Sequence, residues 1–413
     1  MPHTPHRDLD DAITSRAEEL GALLSATVQI PSVTGNERAV ADWYAEWMTQ
    51  RGWDVELQPL RGTACAASES AVGDRANVIG YPFGRPASDA RVLVLNGHID
   101  VVPEGEAALW SAAPFGGARA DGRVHGRGTV DMKGGIAAAL IALDTLRERG
   151  TALAVTPVVH LVIGEETTGV GTRLALAADR APHAAIILEP TNNTIITACT
   201  GLQFFRLVAR GRAAHSSAPW RGVDALERLL VLREALLATA ARRSAEFVHP
   251  RFADVPTGIP FTIGMLQAGS YRAAVPDTAS LTGRIGLRPG EAPDQARAEF
   301  AEALRATVAT DPLAEEFPYA LEWQGEPYPG WDTAETSQLV QTLQAALRAT
   351  GGTTECGGFT AGNDAGQYAQ AGALTLVFGP GDAALAHTVE ESVAEADVVQ
   401  ATRTLALALA DLA

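Results

Sequence analysis

A chain of 413 residues exceeds what one ordinary hydrophobic core supports, so its length predicts two domains. Its 49 acidic against 32 basic residues leave a net charge of −17, which argues against nucleic acid and against an anionic membrane as partners. The acidic start lacks an apolar signal core, no run nears the roughly 18 apolar residues of a spanning helix, and Cys65, Cys199 and Cys356 are scattered. No signal peptide, disulfide framework or CxxC metal site is therefore expected, and the expected location is cytoplasmic.

Helical spacing of apolar residues predicts a helix over Leu9–Gln29, stopped by Pro31, and a second from near Asn36 to about Arg51. Trp53–Gln58 alternates like a strand, and residues 61–75 read as a loop. Val92–Leu95 is short, apolar and uncharged, as a buried strand is, and runs out into Asn96-Gly97-His98-Ile99-Asp100. His98 and Asp100 alternate to the same side there. A Gly-rich turn then carries Asp131 into an Ala- and Leu-rich helix, Gly134–Arg149. Ala154–Ile163 is a predicted strand ending in Gly164-Glu165-Glu166, Thr172–Ala178 a short helix, and Ala184–Leu188 a strand ending in Glu189-Pro190. Strands alternating with helices imply a mostly parallel sheet, which gathers ligands at the carboxyl ends of its strands. His98, Glu166 and Glu189 all fall at such ends.

The pattern changes near residue 200. Strand-like segments at Gly201–Arg210, Phe261–Gln267, Ala279–Leu287 and Tyr319–Trp323 are interleaved with helices at Val223–Arg243 and Pro293–Val308, which implies an inserted α+β sandwich. From about Gly330 the first style resumes with a helix (Thr333–Thr350), a Gly-rich loop (351–362), a strand (Ala373–Phe378) and a terminal helix (Glu395–Leu412). The expected class is α/β, a mostly parallel sheet flanked by helices. Residues 1–199 and 326–413 form its two parts, and 200–325 the insertion.

The candidate metal ligands are His98, Asp131, Glu166, Glu189 and His387, a nitrogen and oxygen set that suits zinc, with cobalt or manganese as substitutes. Five ligands are too many for one catalytic zinc and suit two if Asp131 bridges them, in a pair about 3.5–4 Å apart. Asp100 would orient His98 through its far nitrogen, and Glu165, beside a ligand, would be the general base. Each residue has a plainer reading. His98 could be a loop residue, Asp131 a helix cap, Glu165-Glu166 a solvated turn, Glu189 a strand exit, His387 surface. Three of them at equivalent strand ends make the plain reading improbable as a set. Gly126-Arg127-Gly128 opens like a dinucleotide loop but lacks the last glycine, and neither a GxSxG elbow nor a GxxxxGK[ST] loop occurs.

GHIDVVP, Trp110 with Pro114-Phe115, DGRVHGRGTVDMKGG, GEET, ILEP, GRAAHSSAP and FGPGD…AHTVEESV occur in one order from about residue 10 to the C-terminus. Together they resemble the co-catalytic zinc amidohydrolases that include acetylornithine deacetylase, succinyl-diaminopimelate desuccinylase, carboxypeptidase G and aminoacylase. The resemblance implies a zinc-aminopeptidase-like fold whose inserted domain is a lid and homodimerisation domain. It implies two zinc ions, His98 and Glu189 on one, Glu166 and His387 on the other, Asp131 between them, and a cis peptide after Asp131. It implies Glu165 as base, Asp100 as the orienting carboxylate, and His215 reaching the partner subunit's active site to polarise the scissile carbonyl.

Three positions depart from the family pattern. Ala273 replaces an asparagine, and Gly286 and Gly366 (two residues after Asp364) replace arginines that commonly grip a substrate carboxylate or carbonyl. Arg284 and Arg288 flank Gly286 on one strand face and are candidate replacements, with Asp364 a further substrate-binding candidate. The leading expectation is deacylation of an N-acyl amino acid, a small-molecule amide. The alternatives are a dipeptidase or carboxypeptidase, a deacylase of an N-acylated heterocyclic amine (formylaminopyrimidine-like), and a metal-free, catalytically silent scaffold.

Overall fold

The computed structural model describes residues 5–69, 72–178 and 181–412. They form two compact units, one of Met1–Thr197, Thr333–Gly357 and Asn363–Ala413, the other of Ala198–Asp332 and Gly358–Gly362.

The first unit is built on a mixed sheet ordered Asp54–Pro59, Ala76–Tyr81, Thr156–Val162, Val92–His98, Ala184–Ile187 and Leu374–Val377. Its four central strands, from Thr156–Val162 to Leu374–Val377, are parallel; Ala76–Tyr81 pairs antiparallel with Thr156–Val162, and Asp54–Pro59 antiparallel with Ala76–Tyr81. Register aligns His98 with Val162 and Asn96 with Ile187, so the segments carrying His98, Glu165-Glu166 and Glu189 leave the sheet at one edge. Leu93, Val94 and Leu95 are almost fully buried, each worth about 1.5–3 kcal/mol of burial, which fixes the strand that ends at His98.

The helix Gly134–Glu148 crosses this sheet with its residues from Ile136 to Leu146 buried. It can approach because of Gly135. A Cβ there would lie 2.1 Å from the Leu188 carbonyl oxygen, so only glycine lets the turn after Asp131 press against the strand exit that carries Glu189.

Several expectations change: the stretch 351–362, expected as a loop, carries the strand Cys356–Phe359, and the helix expected from Thr333 begins at Gln338. The N-terminal helix is two helices, Pro5–Thr14 and Ala17–Val28. The break is held by Arg16, which bonds Glu19 at 2.7 Å and Asp144 at 2.8 Å, and apolar spacing carries through it unaltered. Ala76–Tyr81, which the sequence did not announce, is a wholly buried strand. Asn77 interrupts its apolar run but is satisfied inside, donating to the Gly171 carbonyl (2.8 Å) and accepting from the Ile163 N–H (3.1 Å).

The second unit is an antiparallel sheet ordered Thr262–Ala268, Thr278–Leu287, Gly201–Arg210 and Ala320–Tyr328. The helices Ala225–Glu246 and Pro293–Val308 pack on it through Leu229, Leu236, Phe300 and Leu304 against Phe205, Leu207, Leu281 and Ile285. Among the described residues, no helix is long and apolar enough to cross a membrane.

Candidate metal centre

The structure brings all five candidate ligands together in the first unit. Asp131 faces a histidine with each oxygen, Oδ1 lying 2.8 Å from His98 Nε2 and Oδ2 3.2 Å from His387 Nε2. Glu189 approaches His98 Nε2 at 3.7 Å, and Glu166 approaches His387 Nε2 at 3.1 Å. Donor atoms of His98, Asp131 and Glu166 lie within 4.8 Å of one another, as do those of His98, Glu165 and Glu189. Two overlapping donor clusters that share His98, with Asp131 between the two histidines, result.

The backbone is specialised at both ends of this set. The Asp131–Met132 peptide is cis, and His387 has φ of 62°, a left-handed conformation uncommon outside glycine. His387 is the open side of the site, 51 % exposed, whereas His98 is buried.

Crowding of acids dominates the electrostatics. Burial, then the Asp131 charge, pushes the Glu189 carboxyl well above its usual range, and burial followed by Glu189 and Asp364 does the same to Glu165. Glu166 is raised, first by burial and then by Asp131. Asp131 is held well below the usual range, because its bonds to His387 and His98 outweigh the opposing burial. Its hydrogen bond, then that of Glu166, lifts His387 to about 10. Burial alone would lower His98, but Asp131, Glu189 and Glu165 together raise it well above normal. A buried excess of carboxylates around two imidazoles, with no thiolate, is the donor chemistry that divalent zinc, cobalt or manganese satisfies.

Asp100 differs from expectation in detail. His98 Nδ1 bonds the Asp100 backbone carbonyl at 2.9 Å, while the carboxylate stands 3.8 Å away. That carboxylate instead accepts from the Glu165 and Glu166 N–H groups (3.2 and 3.3 Å) and the Thr34 hydroxyl (2.8 Å). It braces the Glu165-Glu166 turn as well as lying behind His98. Asp364 is buried near the acids, lifted to about 6 chiefly by burial, with its oxygens bonded to Thr172 (2.7 Å) and Gln367 (2.9 Å).

Three candidates belong to the second unit. His215 is exposed, and its Nδ1 accepts from the Ser217 N–H (3.1 Å), which leaves the neutral ring's proton on Nε2. Arg288 is paired with Glu246 at 3.1 Å. Arg284 donates to the Thr360 carbonyl at 3.1 Å, and its buried Nε has no hydrogen-bond partner.

Sequence reasoning missed Arg127, Lys133 and Glu391, all buried beside the cluster. Lys133 donates to the Thr27 and Ile30 carbonyls (2.9 and 3.2 Å), and burial lowers it to about 7. The available signal was their charge inside otherwise small or apolar segments, Gly126-Arg127-Gly128 and Glu391-Ser392-Val393.

The chain is similar to known proteins over most of its length. The model of "Peptidase family M20/M25/M40" matches residues 94–411. The chain is 27% identical over 415 residues to N-formyl-4-amino-5-aminomethyl-2-methylpyrimidine deformylase of Halalkalibacterium halodurans, covering 95% of this chain and 94% of that protein. It is 28% identical over 404 residues to acetylornithine deacetylase of Edwardsiella ictaluri, covering 93% and 95%. The crystal structure of aminopeptidase PepT from Bacillus cereus shares the fold, with a TM-score of 0.72 at 21% identity over 96% of this chain and 98% of that one. With the family pattern running through well over half its length, and imidazoles and carboxylates gathered at the carboxyl edge of its sheet, the chain belongs to the M20/M25/M40 peptidase family of metal-dependent amidohydrolases.

Proposed function

We propose that this protein is a dizinc deacylase of N-acyl amino acids, releasing a short carboxylate and an amino acid in the cytoplasm. His98 and Glu189 would hold one ion, Glu166 and His387 the other, and Asp131 both. Zinc bound there supplies Lewis acidity, which lowers the pKa of water and polarises the amide carbonyl. Glu165 takes the proton of the attacking water and delivers it to the leaving nitrogen. Asp100 keeps Glu165 and Glu166 in place through their backbone N–H groups. Each of these steps uses a side chain of the first unit.

The observation that carries the choice of substrate is Arg284. It is largely buried, burial pulls its pKa down, and among the described residues no carboxylate pairs with it. A guanidinium held out of water without a counter-charge is a ready site for a substrate carboxylate. Arg288 and Asp364 are already bonded within their own units. Gly286 cannot supply the grip, since a Cβ there would lie 2.8 Å from the Ile259 backbone.

The test is a hydrolysis screen of N-acetyl, N-formyl and N-succinyl amino acids and dipeptides against N-acylated amines that lack a carboxylate. The expected result is preference for the carboxylate-bearing amides, lost by about 10- to 100-fold in kcat/KM in Arg284→Met, as fits one charged hydrogen bond. Preference for the carboxylate-free amides, with Arg284→Met neutral, would overturn the reading. It would favour a second one, deacylation of an N-acylated heterocyclic amine, to which the near full-length similarity to a formylaminopyrimidine deformylase points.

The inserted unit is proposed to join two copies. Its edge strand Thr262–Ala268 is exposed along most of its length, with Met265 at 58% and Leu266 at 48% exposure, an unpaired edge of the kind that a second sheet covers. His215 would then serve the partner's site. Glu165→Gln and His215→Ala chains, each inactive alone, should regain about a quarter of wild-type turnover after mixing and subunit exchange, because half the dimers would hold one intact site. No recovery from a mixture shown by mass to contain heterodimers would exclude the cross-subunit role.

A further inference from the structure

The buried pair Arg127–Glu391 touches three of the segments that carry candidate ligands. Glu391 is completely buried, and its Oε2 takes the Arg127 guanidinium at 2.5 Å. Its other oxygen does not face the arginine. Oε1 accepts from the backbone N–H groups of Gly128 (2.8 Å), Val130 (3.1 Å) and Asp131 (3.3 Å), the turn that ends in the shared carboxylate. The Glu391 carbonyl accepts from the Gly126 N–H at 3.0 Å, closing the same turn from the other side.

Arg127 completes the frame. It donates to the Thr388 carbonyl at 3.2 Å, next to His387, and to the Pro103 carbonyl at 3.5 Å, on the loop that follows His98 and Asp100. Its guanidinium also lies 5.0 Å over the Trp110 ring, which covers it. His387 has the left-handed backbone noted above, and only three residues separate it from Glu391.

An ion pair that served packing alone would satisfy itself, and a buried pair of that kind adds little net stability. Here half of the carboxylate is spent on three N–H groups whose direction sets that of Asp131, and the arginine holds the residue after His387. We propose that Arg127–Glu391 is a positioning pair, which holds Asp131 and His387 at a common spacing before metal arrives and so sets the affinity for the second of two divalent ions. The proposal rests on the reading of Asp131 and His387 as metal ligands.

The test is titration of chelator-stripped full-length protein with cobalt, followed by visible absorption and by competition with a chromogenic chelator. Wild type should bind two ions. Glu391→Gln should bind one with nearly unchanged affinity and the other about 10- to 100-fold more weakly, the usual consequence of removing a group that orients ligands. Because Glu391→Gln strands a buried arginine, two further variants are measured with it. Glu391→Asp keeps the charge but draws the carboxylate back, and Arg127→Met/Glu391→Gln removes both charges. Each, once circular dichroism shows it folded, should lose second-ion affinity and the corresponding absorption bands. Folded variants that bind both cobalt ions as wild type does would make the pair structural only and overturn the proposal. A wild type that takes up no cobalt would instead remove the metal reading of the site, and the proposal with it.

Discussion

Glu165→Gln is expected to lower turnover by about 10²- to 10⁴-fold, the contribution of a positioned general base, while metal content and thermal stability stay close to wild type. The substitution keeps the size of the side chain, and the backbone N–H of residue 165 still bonds Asp100. What disappears is the ability to accept a proton. Burial together with Glu189 and Asp364 holds the Glu165 carboxyl well above an ordinary glutamate, a perturbation of the kind that gathers at functional sites. Steady-state kinetics and metal analysis on one sample check this. Comparable turnover would refute the base assignment, and lost metal would make Glu165 a ligand.

Asp131→Asn should have the other large effect, abolishing metal binding and activity together. Asp131 is the group with one oxygen for each histidine, and an amide offers one oxygen and turns an NH2 toward the other ring. The pH dependence of binding in wild type follows the same chemistry. In the metal-free site His387 is raised to about 10 by Asp131 and Glu166, so at pH 7 it is protonated and must lose that proton to ligate. Metal uptake should therefore release protons and weaken as pH falls. A weakly buffered titration with an indicator dye measures the release. An Asp131→Asn protein that still binds two ions would contradict the bridging role.

The strand-end chemistry was legible in the sequence because position in a parallel strand fixes direction. A buried run ending at His98, another before Glu165-Glu166 and a third before Glu189 must leave a parallel sheet at one edge. His387 and Asp131 were harder, since both sit on irregular backbone, and motif resemblance placed them where periodicity could not. What stayed hidden depends on contacts distant in sequence. Glu391 takes its meaning from N–H groups some 260 residues away. The Ala76–Tyr81 strand was missed because Asn77 breaks its apolar run, a break that is harmless once Gly171 and Ile163 supply its partners. Ser15 and Arg16 divide the first helix without disturbing its apolar spacing. Arg284 and Arg288 are equal candidates by spacing, and Glu246 is what tells them apart.

The most direct measurement is the number of zinc ions that restore activity to the chelator-stripped wild type. Hydrolysis of an N-acyl amino acid should be absent from the stripped protein and return as zinc is added, reaching its plateau only when two ions are bound per chain, as expected of two overlapping donor clusters. Full activity with no metal, or a protein that holds no zinc under any condition while remaining folded, would contradict the dinuclear site.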